Sequence, residues 1–249
     1  MWDSHCHLNL LETEPSLAVA EARQGGVLGM ICVGVDLASQ AAVMALAETH
    51  ADVYASVGVH PCHLDAQLPD ITALRAWAQH PRVVAIGETG LDYFHEPQAA
   101  ELQKESLRLH IDLACELDKP LIIHTRAAAA ETLALLRHAG ERAGVMHCFT
   151  EDWETAKAAL DLGFYISFSG IISFKNAEDL RQVARAVPAD RLLVETDSPW
   201  LAPVPHRGKS NRPAWVVDVA RCLAQVRGVA LEDLAATLTA NTRRLFQIP

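Results

Sequence analysis

Along the chain, short runs of β-branched and other apolar residues alternate with longer stretches in which apolar positions recur every three or four residues. The short runs cover residues 1–7, 27–35, 53–60, 83–87, 121–124, 145–149, 164–169 and 192–196. Their length and Val/Ile content predict strands. Residues 37–50, 71–79, 99–117, 127–138, 155–162, 177–186 and 214–226 between them predict helices. In the longest of these, Leu102, Ser106, Leu109, Leu113 and Leu117 follow one another at three- and four-residue steps, giving a mostly apolar stripe for packing on the strands. Lys119–Pro120 ends that helix, because proline disfavours helix before it and cannot continue one. Two short helical patterns, 231–239 and 241–246, close the chain. Strands that alternate with helices imply βαβ units and a parallel sheet, and eight of them predict a closed (β/α)₈ TIM barrel. The length of 249 residues suits one such α/β domain over 1–249, with no internal repeat and no Gly-, Ser- or Pro-rich linker to divide it.

Composition narrows the picture. The chain is 50% hydrophobic and 21% charged, as soluble globular proteins are, and no apolar run approaches the ~20 residues of a membrane span. No basic region followed by an apolar stretch opens the chain, so no secretory signal is expected and the cytoplasm is the default compartment. The six cysteines form no Cys-x-x-Cys pair and read as reduced thiols. Cys6, Cys62 and Cys148 adjoin His5, His63 and His147, but strand alternation should turn Cys6 and Cys148 away from their histidines. A formal net charge of −10 excludes a broad electrostatic grip on long nucleic acid, which rests on Lys and Arg neutralising phosphates. A polyanionic substrate would have to be held locally.

Candidate chemistry gathers at the strand ends. In Asp3-Ser4-His5-Cys6-His7 the two histidines share one strand face and make a chelating pair. Barrel active sites lie at the C-terminal face of the strands. There strand three ends in His60 and His63, strand four in Glu88 to Asp92, strand five in His124 and Arg126, strand six in His147, and strand eight in Glu195 and Asp197. Imidazoles and carboxylates converging from most strands point to a metal site. The donor set suits Zn²⁺, Mn²⁺ or Fe²⁺ better than the oxygen-preferring Mg²⁺, with Zn²⁺, Mn²⁺ and Mg²⁺ all open as the resident ion. Four histidines and two carboxylates exceed the three protein ligands of a mononuclear catalytic zinc, so two divalent ions sharing Glu88 as a bridge is the natural count. Arg126, on the His124 face, reads as a phosphate contact, while His60 and His63 either touch substrate or cap strand three. Glu195 lies deeper and reads as a buried hydrogen-bonding partner rather than a ligand. Proline-rich residues 197–213 form the long loop after strand eight.

These motifs, Asp-Ser-His-Cys-His-Leu, Gly-Val-His-Pro, Gly-Glu-Thr-Gly-Leu-Asp-Tyr, His-Thr-Arg, His-Cys-Phe and Glu-Thr-Asp-Ser-Pro-Trp-Leu, resemble the TatD family of metal-dependent deoxyribonucleases. The resemblance runs from Asp3 to about Phe246. It implies an amidohydrolase-like TIM barrel, one ion on His5, His7, Glu88 and Asp197, a second on Glu88, His124 and His147, and hydrolysis of DNA phosphodiesters, often from the 3′ end. The loop Arg207-Gly208-Lys209-Ser210-Asn211-Arg212-Pro213 departs from the family pattern, with Ser210 for a basic residue and Arg212 for a glutamate, so substrate preference is less secure than catalysis. The expected mechanism is attack by metal-bound hydroxide, with Asp197 accepting a proton and Arg126, Arg207 and Lys209 offsetting phosphate charge. The same barrel could instead hydrolyse a lactone, an amide or an aminoacyl ester, or serve as a non-catalytic metal or nucleic-acid binding module. Neither a membrane nor an obligate protein partner is expected.

Overall fold

The apolar runs fold as strands because both faces of a parallel sheet are covered, which is why they read as near-continuous Val, Ile and Leu rather than alternating with polar residues. The computed structural model describes residues 1–139 and 144–249. Among these residues the strands are β1 (Trp2–Cys6), β2 (Gly29–Cys32), β3 (Val53–Val57), β4 (Val83–Asp92), β5 (Leu121–Arg126), β6 (Gly144–Met146), β7 (Tyr165–Phe168) and β8 (Leu192–Val194). Each pairs in parallel with its successor, so the order β1 to β8 follows the chain around a nearly closed barrel. Two buried apolar clusters alternate along the strands. Met30, Cys32, Ile123 and Met146 belong to the layer shared with the helices, whereas Ile31, Val33, Ile122, Val145, Tyr165 and Leu193 form an inner cluster, joined by Leu245 and Phe246. Continuing the inner phase by two residues leads from Ile122 to His124, from Val145 to His147 and from Leu193 to Glu195. The same period that fills the barrel aims these side chains at its mouth.

The barrel seam is closed differently from its other strand pairs. The Asp197 amide donates to the His5 carbonyl at 3.0 Å and the His7 amide to the Ser198 carbonyl at 2.9 Å. Below them the buried Asp3 carboxylate accepts from the Thr196 amide at 2.9 Å and from its hydroxyl at 2.5 Å, and the Ser4 hydroxyl donates to the Val194 carbonyl at 2.9 Å.

The helices are α1 (Pro15–Gln24), α2 (Gln40–Thr49), α3 (Ile71–Ala78), α4 (Ala100–Leu117), α5 (Ala129–Leu136), α6 (Trp153–Asp161), α7 (Glu178–Ala186), α8 (Val216–Arg227) and α9 (Leu231–Phe246). Four features depart from the sequence pattern. Helix α1 was not anticipated: its buried stripe is only Ala18, Val19 and Ala22, too small to stand out, and its start is fixed by Pro15 in the first turn and the Glu14 side chain capping Leu17. The two C-terminal patterns are one continuous helix, because the Asn241 side chain is turned inward, where it donates to the Ala189 and Leu192 carbonyls. In α4 the buried face is centred on Gln103, Ser106, Leu107, His110, Ile111, Leu113 and Ala114, with Leu102, Leu109 and Leu117 at its edge. Polar Gln103 and His110 sit inside because they hold backbone at the barrel mouth: Gln103 bonds the amide and carbonyl of Asp92, and His110 accepts from the Val59 amide. Finally, β4 runs five residues past its apolar run, to Asp92 rather than Gly87, and so carries Glu88 within the strand. Among the described residues no helix is long and apolar enough to cross a membrane.

Candidate metal centre

Glu88 is the hub of the barrel mouth. Its buried carboxylate places Oε1 at 2.7 Å from His147 Nε2, 3.2 Å from His124 Nδ1 and 3.4 Å from His60 Nε2, while Oε2 lies 3.4 Å from His5 Nε2 and 4.0 Å from His7 Nε2. Asp197 approaches from beyond β8, its Oδ1 at 3.7 Å from His5 Nε2 and 3.5 Å from His7 Nε2. Of the six side chains expected as ligands, four imidazoles therefore surround the Glu88 carboxylate, and Asp197 joins them beside His5 and His7. Glu195 lies at the floor, its Oε1 accepting from the Cys148 amide at 2.8 Å and lying 3.2 Å from His147 Nδ1.

Electrostatics keep the acids ionised. Burial works to raise the Glu88 pKa, but His147, His60 and His124 hold it well below the usual carboxylate range. Asp197 is likewise lowered against its burial, by the His7 hydrogen bond and by His5 and His147. His147 is pushed well above its ordinary value, since Glu88 and Glu195 outweigh burial, whereas burial takes His60 down to about 3. The buried atoms His5 Nδ1 and Glu195 Oε2 are among those with no hydrogen-bond partner among the described residues, and a buried polar atom left so costs roughly 1–3 kcal/mol. One ligand atom each from His5, His7 and Glu88 lies within 4.8 Å of the others, and the same holds for His60, Glu88 and His124 and for His5, His147 and Glu195. Uncompensated donors packed this closely fit divalent cations of the zinc and manganese class.

Around this hub is a cavity of about 610 Å³, lined by His7, His60, His63, Arg126, Trp200 and Leu201 among others. His60 also caps the end of β3, its Nδ1 accepting from the Cys62 amide at 3.1 Å, and His63 faces Asp36 at 3.5 Å. Arg126 lies over the exposed Phe94 ring at 4.8 Å. Arg207 and Lys209 are not brought to the cavity with it. The Arg207 guanidinium stacks on Phe174 at 3.6 Å and donates to the Ala202 carbonyl, and Lys209 is exposed on the following turn. Cys6 turns into the core as alternation requires, its thiol donating to the Ile31 carbonyl. Cys148 does not turn away: β6 stops at Met146 and Cys148 has a left-handed φ of 43°, so strand parity ends before it and the residue lines the cavity.

Asp92 is the site residue that sequence reasoning passed over. It is buried, with Oδ1 accepting from the Phe94 and His95 amides and Oδ2 lying 3.0 Å from His124 Nε2 and 2.8 Å from His95 Nδ1. A carboxylate on the outer nitrogen of an imidazole fixes its tautomer and ring orientation, leaving Nδ1 directed at Glu88. The available signal was its parity with Glu88, four residues earlier in the same strand.

A sequence model of the family described as TatD related DNase matches residues 2–247. The chain is 51% identical over 255 residues to a protein of Escherichia coli K12 named uncharacterized metal-dependent hydrolase YcfH, covering 99% of this chain and 95% of that one. It is 34% identical over 239 residues to the 3′-5′ ssDNA/RNA exonuclease TatD of Erwinia tasmaniensis, covering 92% of each. Among solved structures, the TatD homologue YjjV of Escherichia coli K12 superposes with a TM-score of 0.94 at 30% identity, covering 100% of this chain and 98% of that one.

Proposed function

The chain belongs to the TatD family of metal-dependent hydrolases, and from that premise we propose that it is a deoxyribonuclease that cleaves phosphodiester bonds in DNA, working from the 3′ end. The observation that carries this reading is the convergence of His5, His7, His124 and His147 on Glu88, with Asp197 set against His5 and His7, beneath a cavity lined by Arg126. His5, His7, Glu88 and Asp197 would hold one divalent ion, and Glu88, His124 and His147 the other. When bound, the pair supplies Lewis acidity and brings the pKa of water from ~16 down to about 7. The protein's own groups do the rest. Asp197, kept ionised, takes the proton of the attacking water. Arg126 meets a non-bridging phosphate oxygen, and Asp92 and Glu195 keep His124 and His147 turned to the centre.

The deciding experiment incubates metal-reconstituted protein with end-labelled single-stranded and duplex DNA beside panels of lactones and carboxylic esters. Stepwise shortening from the 3′ end supports the proposal. Ester or lactone turnover with intact DNA would overturn it in favour of carboxyl-ester hydrolysis, a second reading that has one observation behind it: of the three basic residues Arg126, Arg207 and Lys209, only Arg126 lines the cavity.

A further inference from the structure

Beside the Glu88 centre, on the rim of the same cavity, a second and chemically different set of donors comes together. One ligand atom each from Cys62, Asp92 and His95 lies within 4.8 Å of the others. Cys62 comes from the turn after β3, Asp92 from the end of β4 and His95 from the turn that follows it. Asp92 is held firmly: its Oδ1 is taken by two backbone amides and its own amide and carbonyl by Gln103, so Oδ2 is the oxygen left for other partners. His95 presents Nδ1 to that oxygen from an exposed side chain, and Cys62 is partly exposed at the cavity edge. A thiol, an imidazole and a carboxylate with one side open to the cavity make a three-ligand set for a borderline cation such as zinc, with solvent completing the tetrahedron.

We propose that Cys62, Asp92 and His95 form a further divalent-metal site, separate from the Glu88 centre, that takes zinc-class ions. Binding exchanges the thiol proton for the metal: the S–H bond breaks, a sulfur–metal bond forms, and the proton passes to solvent. The site shares one atom with the machinery already described, because Asp92 Oδ2 also holds His124 Nε2 at 3.0 Å. A cation on Oδ2 competes for that oxygen and loosens His124, so occupancy restrains the enzyme when metal is in excess. This second consequence rests on the hydrolase reading above, whereas the binding itself does not.

The test titrates the chelator-stripped full-length protein with Co²⁺, whose bond to a thiolate gives a near-ultraviolet charge-transfer band that histidine and carboxylate ligands do not. A band should grow in the wild type, and Cys62→Ser should lose it together with one bound equivalent. His95→Gln, at an exposed position that leaves the thiol in place, should weaken the band, while Cys148→Ser should keep it. No band in the wild type, a band unchanged in Cys62→Ser, or its loss in Cys148→Ser overturns the site. In the DNA assay, wild-type rate should pass through a maximum and fall as this equivalent fills, and Cys62→Ser should level off without falling. Identical curves for the two overturn the restraint, with the spectra judging the site independently.

Discussion

Acid should release the β3 loop of the site through a histidine that touches neither substrate nor metal. The His110 ring is fully buried in α4, its Nδ1 donating to the Ser106 carbonyl at 2.8 Å and its Nε2 accepting the Val59 amide at 3.1 Å, one residue before His60. A second ring proton would set donor against donor at Val59, and burial pushes the pKa from 6.5 down to about 4. Between those values the unfolded chain binds a proton that the folded chain refuses, so stability falls as pH falls. A difference of about 2.5 in pKa at ~1.4 kcal/mol each gives roughly 3 kcal/mol in full, of which about 2 kcal/mol is lost by pH 5. Urea unfolding of the wild type and of His110→Gln, followed from pH 7.5 to pH 5, isolates the effect. The remaining histidines are common to both proteins and cancel in the difference. The wild type's margin over the variant should shrink by about 2 kcal/mol across this range. Parallel stability curves for the two proteins would show that His110 does not govern this loop.

Asp197→Asn should keep the fold while kcat drops by about 10²- to 10⁴-fold, measured at saturating metal; turnover near that of the wild type would remove Asp197 as the base. Glu195→Gln, which weakens the support of His147 and the Cys148 amide, should chiefly lower stability, by roughly 1–3 kcal/mol in urea. Gly90→Ala puts a methyl group 1.9 Å from the His124 carbonyl oxygen at a φ of 150°, so it should destabilise by at least about 3 kcal/mol and weaken metal binding, read by thermal melting and metal titration. With Arg126 the one basic side chain of the three at the cavity, the slope of log K against log salt for single-stranded DNA should be near −1, about −0.7 per neutralised phosphate; a slope near −5 would reveal a basic surface elsewhere.

The strands, their order and the meeting of His5, His7, Glu88, His124, His147 and Asp197 could be read from the chain because barrel geometry ties strand ends to one rim, and parity then chooses the face. What escaped reading depended on local backbone or on distant partners. Cys148 faces the cavity through a left-handed φ that no alternation rule anticipates. Arg207 was counted with Arg126 on charge alone, but the loop hands it to Phe174. Gln103 and His110 look out of place in an apolar stripe until the Asp92 and Val59 backbone they hold comes into view. Helix α1 hides because alanines bury without leaving a strong periodic mark.

The seam between the first and last strands also sets when the centre can exist. His5 and His7 are synthesised long before Asp197, and they become its neighbours only once Asp3 has found Thr196 and the His5 carbonyl has found the Asp197 amide. Contacts separated by so much chain are the slow ones in folding. A nascent chain shorter than β8 therefore cannot assemble the His5, His7, Asp197 set, and stray cations meet only a loose pair of imidazoles. Selection among cellular metals is deferred to the finished barrel, and an ion bound there draws the first and last strands together like a clasp, stabilising the closed form by mass action.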